Sequence, residues 1–257
     1  MPGGEKTRGV TLITGASAGL GAEFARQCAA RGESVALAAR RRDRLDAVAA
    51  EIGGDVHVFE ADLAAPDGPA KLLADVAAAG LTVSTLINNA GFGLGGSVAS
   101  IPLDRQLEMI DLNVRALTEL CRGVLPGMLE RGSGAILNVA STAAFQAGPH
   151  MAVYYAGKAY VLSFSEALHQ EMKGTKIRVS CLCPGPTETE FFETAGLSGS
   201  ALAKMAVPAA GVVRAGLKGL DSGKAIVIPG VMNKVGAQST RFMPRSTLRA
   251  IVARLKA

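Results

Sequence analysis

No apolar run in this chain approaches the roughly 18 residues that a helix needs to cross a bilayer, which argues against a helical membrane protein. The N-terminal stretch Met1-Pro2-Gly3-Gly4-Glu5-Lys6-Thr7-Arg8 is polar, and the apolar residues after it are too soon broken by Gly15 to form a secretion signal. A cytoplasmic protein is therefore expected. Cysteine is sparse: Cys28, Cys121, Cys181 and Cys183 show no metal-ligand spacing, and the last two would share one side of a strand without the turn that zinc ligands use. Buried free thiols in a reducing compartment are expected, and no metal. The three histidines, His57, His150 and His169, are scattered, and only His150 lies close enough to a tyrosine motif to be a candidate for substrate contact. Negative charge is missing from the C-terminal stretch. After Asp221 there is no acidic residue, while Lys224, Lys234, Arg241, Arg245, Arg249, Arg254 and Lys256 add seven positive charges to a chain whose net charge is +5. The basic character thus belongs to the tail, and general nucleic-acid binding is not implied.

What the chain does have is a steady alternation of two patterns. Short apolar runs rich in β-branched residues occur at 10–14, 34–39, 56–60, 85–88, 135–140, 177–182 and 225–228, separated by helix-like stretches at 42–52, 66–79, 103–131, 151–173 and 200–220. Strands alternating with helices predict a parallel sheet covered on both faces, because each crossover returns through a packed helix. With 257 residues, 49% of them hydrophobic, and no Pro- or Ser-rich linker, the expectation is one α/β domain across 1–257, a doubly wound sheet of about seven strands.

Between the first strand and first helix lies Thr14-Gly15-Ala16-Ser17-Ala18-Gly19-Leu20-Gly21. Gly15 permits a tight turn, Gly19 lets the backbone approach a pyrophosphate, and Gly21 lets the helix pack closely on the sheet. Free N–H groups at the helix start then face the phosphates. About twenty residues on, sites that prefer NAD carry an acidic residue for the ribose 2′-hydroxyl. This chain reads Ala38-Ala39-Arg40-Arg41-Arg42 there. A guanidinium can bind a 2′-phosphate through paired charge-assisted hydrogen bonds, so NADP is expected, with Arg40 foremost and Arg41 or Ser17 as helpers.

Tyr154 and Lys158 lie four residues apart, thirteen residues after Ser141. On a helix they share a face, where the ammonium of Lys158 would lower the phenol pKa and make Tyr154 a usable acid or base near neutral pH. Tyr155 competes for that role, being three residues before Lys158. Ser141 stands in Val139-Ala140-Ser141-Thr142-Ala143, which lacks a Gly-x-Ser-x-Gly elbow, so hydrolase chemistry is disfavoured.

Taken together, the glycine turn, Asn88-Asn89-Ala90-Gly91, Asn113 in Asp111-Leu112-Asn113-Val114, Ser141, Tyr154-x-x-x-Lys158, and Pro184-Gly185 followed by Thr187 and Thr189 resemble a short-chain dehydrogenase/reductase over nearly the whole chain. The resemblance implies a Rossmann fold. It selects Tyr154 over Tyr155 as the acid or base, with Ser141 fixing the substrate oxygen. Lys158 would lower the tyrosine pKa and bond the nicotinamide ribose, and Asn113 would hold a water in a proton relay. Asp62 and Leu63 would contact the adenine, Asn89 and Gly91 would line the cofactor groove, and Thr187 and Thr189 would bind the carboxamide and a phosphate. Residues of about 187–206 would form a substrate lid in which Phe191, Phe192, Leu197, Leu202 and Met205 supply an apolar lining, Gly196 and Gly199 act as hinges, and Glu188 and Glu190 are solvated.

The expected activity is NADP(H)-dependent interconversion of a hydrophobic ketone or aldehyde with its alcohol; the alternative is a non-catalytic NADP-binding regulator on the same fold. A homodimer or homotetramer is implied through the helices at 103–131 and 151–173. In the tail of about 240–257, Leu248, Ile251, Val252 and Leu255 fall at the spacing of an amphipathic helix. That stripe would dock on the domain or a partner subunit, or make weak contact with an anionic membrane.

Overall fold

The computed structural model describes residues 8–254. Seven parallel strands form one sheet in the order β3-β2-β1-β4-β5-β6-β7: β1 (Arg8–Thr14), β2 (Val35–Ala39), β3 (Val56–Glu60), β4 (Leu81–Asn88), β5 (Gly134–Val139), β6 (Ile177–Leu182) and β7 (Ile226–Val227). Alternation along the strands divides the core. Leu12 and Ile136 belong to the apolar cluster on one face, Ile13 and Leu137 to that on the other, as a period of two requires. The first face packs against α3 (Gly68–Ala78), α5 (Leu117–Arg131) and α6 (Ala152–Glu171) through Leu72, Leu120 and Val161. Against the second lie α1 (Gly19–Ala30), α2 (Arg42–Ile52) and α9 (Ala209–Asp221), through Phe24, Leu45 and Val213. These side chains are all but inaccessible to water, so each contributes roughly 1.5–3 kcal/mol of burial.

Strand order reverses between β1 and β4, the point at which an open parallel sheet leaves a crevice beyond its carboxyl ends. Thr14 ties the two strand ends together. Its Oγ1 accepts from the N–H groups of Asn89 and Ala90, both at 3.0 Å, while Asn89 Nδ2 donates to Thr14 O at 2.9 Å.

Two expected helices are interrupted. The stretch at 103–131 consists of α4 (Leu103–Ile110), a π-helical turn (Asp111–Ala116) and α5, not one α-helix. The stretch at 200–220 is broken into α8 (Ala201–Lys204) and α9, because Pro208 lacks a donor and pushes Val207 into extended backbone, where it bridges Thr187. Before α8 lies α7 (Phe191–Thr194); after β7 come α10 (Val231–Ser239) and α11 (Arg245–Arg254). Among the described residues no helix is long and apolar enough to cross a membrane.

Candidate active site

Three chain crossings build the site. The turn after β1 holds Gly15 at φ 65°, and a Cβ at Gly21 would run into Gly15 O and come within 2.6 Å of Asn89 Nδ2, so a side chain at position 21 would force the first helix off the sheet. Beyond these glycines a cleft of about 560 Å³ runs across the carboxyl ends of the strands. One end is lined by Ser17, Ala18, Gly19, Leu20, Arg40, Arg41, Asp62 and Leu63. Asn89, Gly91, Ser141, Tyr154, Lys158, Pro184, Gly185 and Thr187 line the rest, and Thr189 sits against Gly19, where an added Cβ would lie 3.0 Å from its side chain. All the expected cofactor residues except Gly21, which packs behind the turn, thus share one cleft.

Ser141 leaves β5 in extended backbone and caps the short turn that follows. The Ala143 N–H donates to its Oγ at 3.1 Å, and the hydroxyl donates to Pro184 O at 3.4 Å. The long helix α6 then presents Tyr154 and Lys158 on one face, with the Ser141 side chain close enough to the Tyr154 phenol to favour its ionised form. Lys158 Nζ donates to Val139 O at 2.8 Å and lies 5.9 Å from the centre of the Tyr154 ring. Asn113 projects from the π-helical turn: its Nδ2 donates to Phe92 O at 2.8 Å, and its Oδ1 accepts from Phe92 N at 3.1 Å. Gly91 lies between them; a Cβ there would stand 2.8 Å from Asn113 Oδ1 and 3.5 Å from Lys158 Nζ. Widened turns of this kind leave main-chain polar groups outside the regular ladder and recur at functional sites.

The electrostatics differ from the expectation for the tyrosine. Burial raises the Tyr154 phenol above its ordinary 10, opposed only in part by the Ser141 hydrogen bond, and Lys158 does not lower it in this arrangement. The same burial pushes the Lys158 amine down to about 8. Both groups are almost inaccessible to water, and loss of hydration disfavours the charged form of each. Burial likewise raises the Cys28 thiol and pushes Cys121 up to about 12; all four cysteines are free and buried.

Phe191 lies against the Tyr154 ring with centroids 5.2 Å apart, and Phe192, Leu197 and Leu202 also line the cleft, but Met205 does not: it is exposed at the C-terminal cap of α8. The lid is pinned by Gly95 N–H to Ala195 O at 3.0 Å, and Gly196 and Gly199 have φ of 67° and 83°. His150 does not line the cleft; its side chain is exposed, at a φ of 61°, while its carbonyl accepts from Gly96. Glu190 is not merely solvated, since it pairs with Arg41 at 2.8 Å.

Sequence reasoning missed Phe92, Arg105, Gln146, Met151 and Val252 in the lining, and treated Tyr155 only as a rival base although it forms part of the wall. The amphipathic spacing of the tail was the signal for Val252. In the structure Leu248 and Val252 pack with Tyr154, Met109 and Ala195, so that side of the stripe is taken up by the site; Ile251 faces outward, and Leu255 lies outside the described residues.

The family model for short chain dehydrogenases matches residues 9–197. Sulfoacetaldehyde reductase 2 of Chromohalobacter salexigens is 38% identical over 186 residues, covering 71% of this chain and 74% of that protein. The NADP-dependent 3-hydroxy acid dehydrogenase YdfG of Escherichia coli is 36% identical over 177 residues, 68% of this chain and 71% of its own. A solved short-chain dehydrogenase from Sphingobium yanoikuyae in complex with NADPH has a TM-score of 0.81 and 32% identity over 95% of both chains. With seven parallel strands, the crevice at their reversal and these relatives, the chain belongs to the short-chain dehydrogenase family.

Proposed function

We propose that the protein is an NADP(H)-dependent oxidoreductase that interconverts a ketone or aldehyde and its alcohol, with a largely hydrophobic substrate. The observation that carries this reading is the convergence of Ser141, Tyr154 and Lys158 on one cleft that is also lined by Ser17, Arg40 and Arg41. That cleft fits the coenzyme on its own geometry: Gly21 is as small as the turn demands, Gly91 leaves space beside Asn113 and Lys158, and two guanidiniums stand where no carboxylate follows β2. The names of two relatives, which include NADP or NADPH, support the same choice.

When bound, the coenzyme supplies or accepts the hydride. The protein's residues handle the proton. Ser141 orients the substrate oxygen toward the phenol of Tyr154, which donates its proton during reduction and takes one during oxidation. Lys158, four residues on along the same helix face, would bond the ribose beside the phenol. Asn113, clamped to Phe92, fixes the turn from which a water would link Lys158 to solvent. Phe191, Phe192, Leu197, Leu202, Met151 and Val252 give the substrate end its apolar walls, which favours a medium to large hydrophobic group.

Incubation with NADPH or NADH and a panel of carbonyl compounds, followed by absorbance, tests the reading. Turnover should appear with bulky apolar carbonyls and favour NADPH by tenfold or more, as about 1.4 kcal/mol of phosphate contact would give. A preference for NADH, or no turnover with any carbonyl, overturns it.

Assembly is part of the proposal. Leu103, Leu107 and Ile110 on α4, Leu129 on α5 and Tyr160 on α6 are all exposed, which supports a helix-to-helix interface in a homodimer or homotetramer. Light scattering at micromolar concentration should give at least twice the 26.3 kDa chain mass, and a purely monomeric species would rule this out.

A further inference from the structure

Both arginines at the adenosine end of the cleft are already engaged by carboxylates. Arg40 Nη1 lies 3.1 Å from Glu108 Oε1, and Glu108 is shared with Arg105. Arg41 Nη2 lies 2.8 Å from Glu190 Oε2 and 3.3 Å from Ser17 Oγ, while Glu190 Oε1 is 3.9 Å from Arg44 Nη1. Glu190 belongs to the lid. Its carbonyl accepts from the N–H and Oγ1 of Thr194, and the next residue, Phe191, packs on the Tyr154 ring.

We propose that Glu190 is a coenzyme-discriminating residue: its carboxylate holds the Arg41 guanidinium where a coenzyme 2′-phosphate would bind, so a phosphorylated coenzyme displaces it and an unphosphorylated one does not. This rests on the NADP(H) reading above. A phosphate monoester carries more negative charge than a carboxylate and offers three acceptor oxygens to a guanidinium, so it wins the exchange. The pair is also weak enough to yield, because both side chains are close to half exposed. Arg44 is the fallback partner for the displaced carboxylate. Glu108 is less free to move: it is shared by Arg40 and Arg105 and its side chain is 21% exposed, against 44% for Glu190.

Calorimetric titration of the full chain with NADPH and NADH separates the outcomes, using wild type, Glu190→Gln, Arg41→Gln and the double variant. Removing the carboxylate should tighten NADPH by about three- to fivefold, the scale of an exposed pair, and leave NADH within about twofold. In the Arg41→Gln background the gain should vanish, since the competition has lost its object. Weaker or unchanged NADPH binding in Glu190→Gln, or an equal change for both coenzymes, overturns the inference while a wild-type preference for NADPH keeps the coenzyme reading intact. If wild type prefers NADH, the coenzyme reading fails and the inference falls with it.

Discussion

Tyr154→Phe is expected to lower kcat/KM on the order of a thousandfold or more, while NADPH affinity stays within about twofold. The substitution removes one oxygen and leaves the ring against Phe191 and Tyr155, so the cleft keeps its walls. In the proposed mechanism, the hydroxyl it deletes is the one that would exchange the proton with the substrate oxygen. Stability should change by no more than about 1 kcal/mol, the net worth of one hydrogen bond. Steady-state kinetics alongside coenzyme titration decide the matter. Activity near that of wild type would mean that Tyr155, or a water, carries the proton.

The second large effect concerns Lys158. Its amine is pushed from 10.5 down to about 8 by burial, a difference of roughly 3.5 kcal/mol at about 1.4 kcal/mol per unit. The sign follows from proton counts. Between about 8 and 10.5 the unfolded chain holds a proton that the folded chain has released, so this residue makes stability rise with pH across that window. Below about 8 the full cost of the buried ammonium is present; above 10.5 it is gone. Lys158→Met should therefore abolish turnover yet raise Tm at pH 7 by about 2–4 °C, the burial cost being offset in part by a Val139 carbonyl left without its donor. Toward pH 10 the advantage should shrink and then reverse, because the neutral amine still bonds Val139 and methionine cannot. Differential scanning calorimetry of both proteins from pH 7 to 10 reads this difference, with Cys183→Ala in both backgrounds to remove the thiol that interacts with Lys158. A variant less stable at pH 7, or a gap independent of pH, would refute the desolvated ammonium.

Much of the architecture was legible because it is periodic. Strand positions at 56–60 and 177–182 and the helix at 42–52 coincide with β3, β6 and α2, where β-branched runs and amphipathic spacing agree with the local backbone. Departures came where one residue overrides a pattern. Pro208 splits an apolar stretch whose composition reads as helix throughout, and nothing in the spacing around Asn113 announces that the helix widens there. The candidate site was readable as a set of side-chain types at fixed intervals, and the structure brings most of those residues to one cleft, with Asn113 behind its wall on Phe92. Its electrostatics were not readable, because they depend on how much water reaches Tyr154 and Lys158, which is a property of packing. Lining residues such as Val252 and Gln146 carry no chemical signature and enter only through tertiary contacts. Glu190 looked like any surface acid until the fold brought it to Arg41, 149 positions earlier in the chain.

The π-helical turn at Asp111–Ala116 has a consequence for how the chain tolerates change in length. A turn of this kind is one residue richer than the α-helix it interrupts, so deleting a single residue there could restore an unbroken helix from Leu103 to Arg131. Local regularity would improve, but everything on one side of the deletion would rotate by about 100° relative to the other. Either Asn113 would lose Phe92 or Leu120 and Val124 would turn out of the core. The surplus residue therefore acts as a phase shifter, letting one helix satisfy two demands of different angular register, and neither half could evolve by shortening without loss of the other.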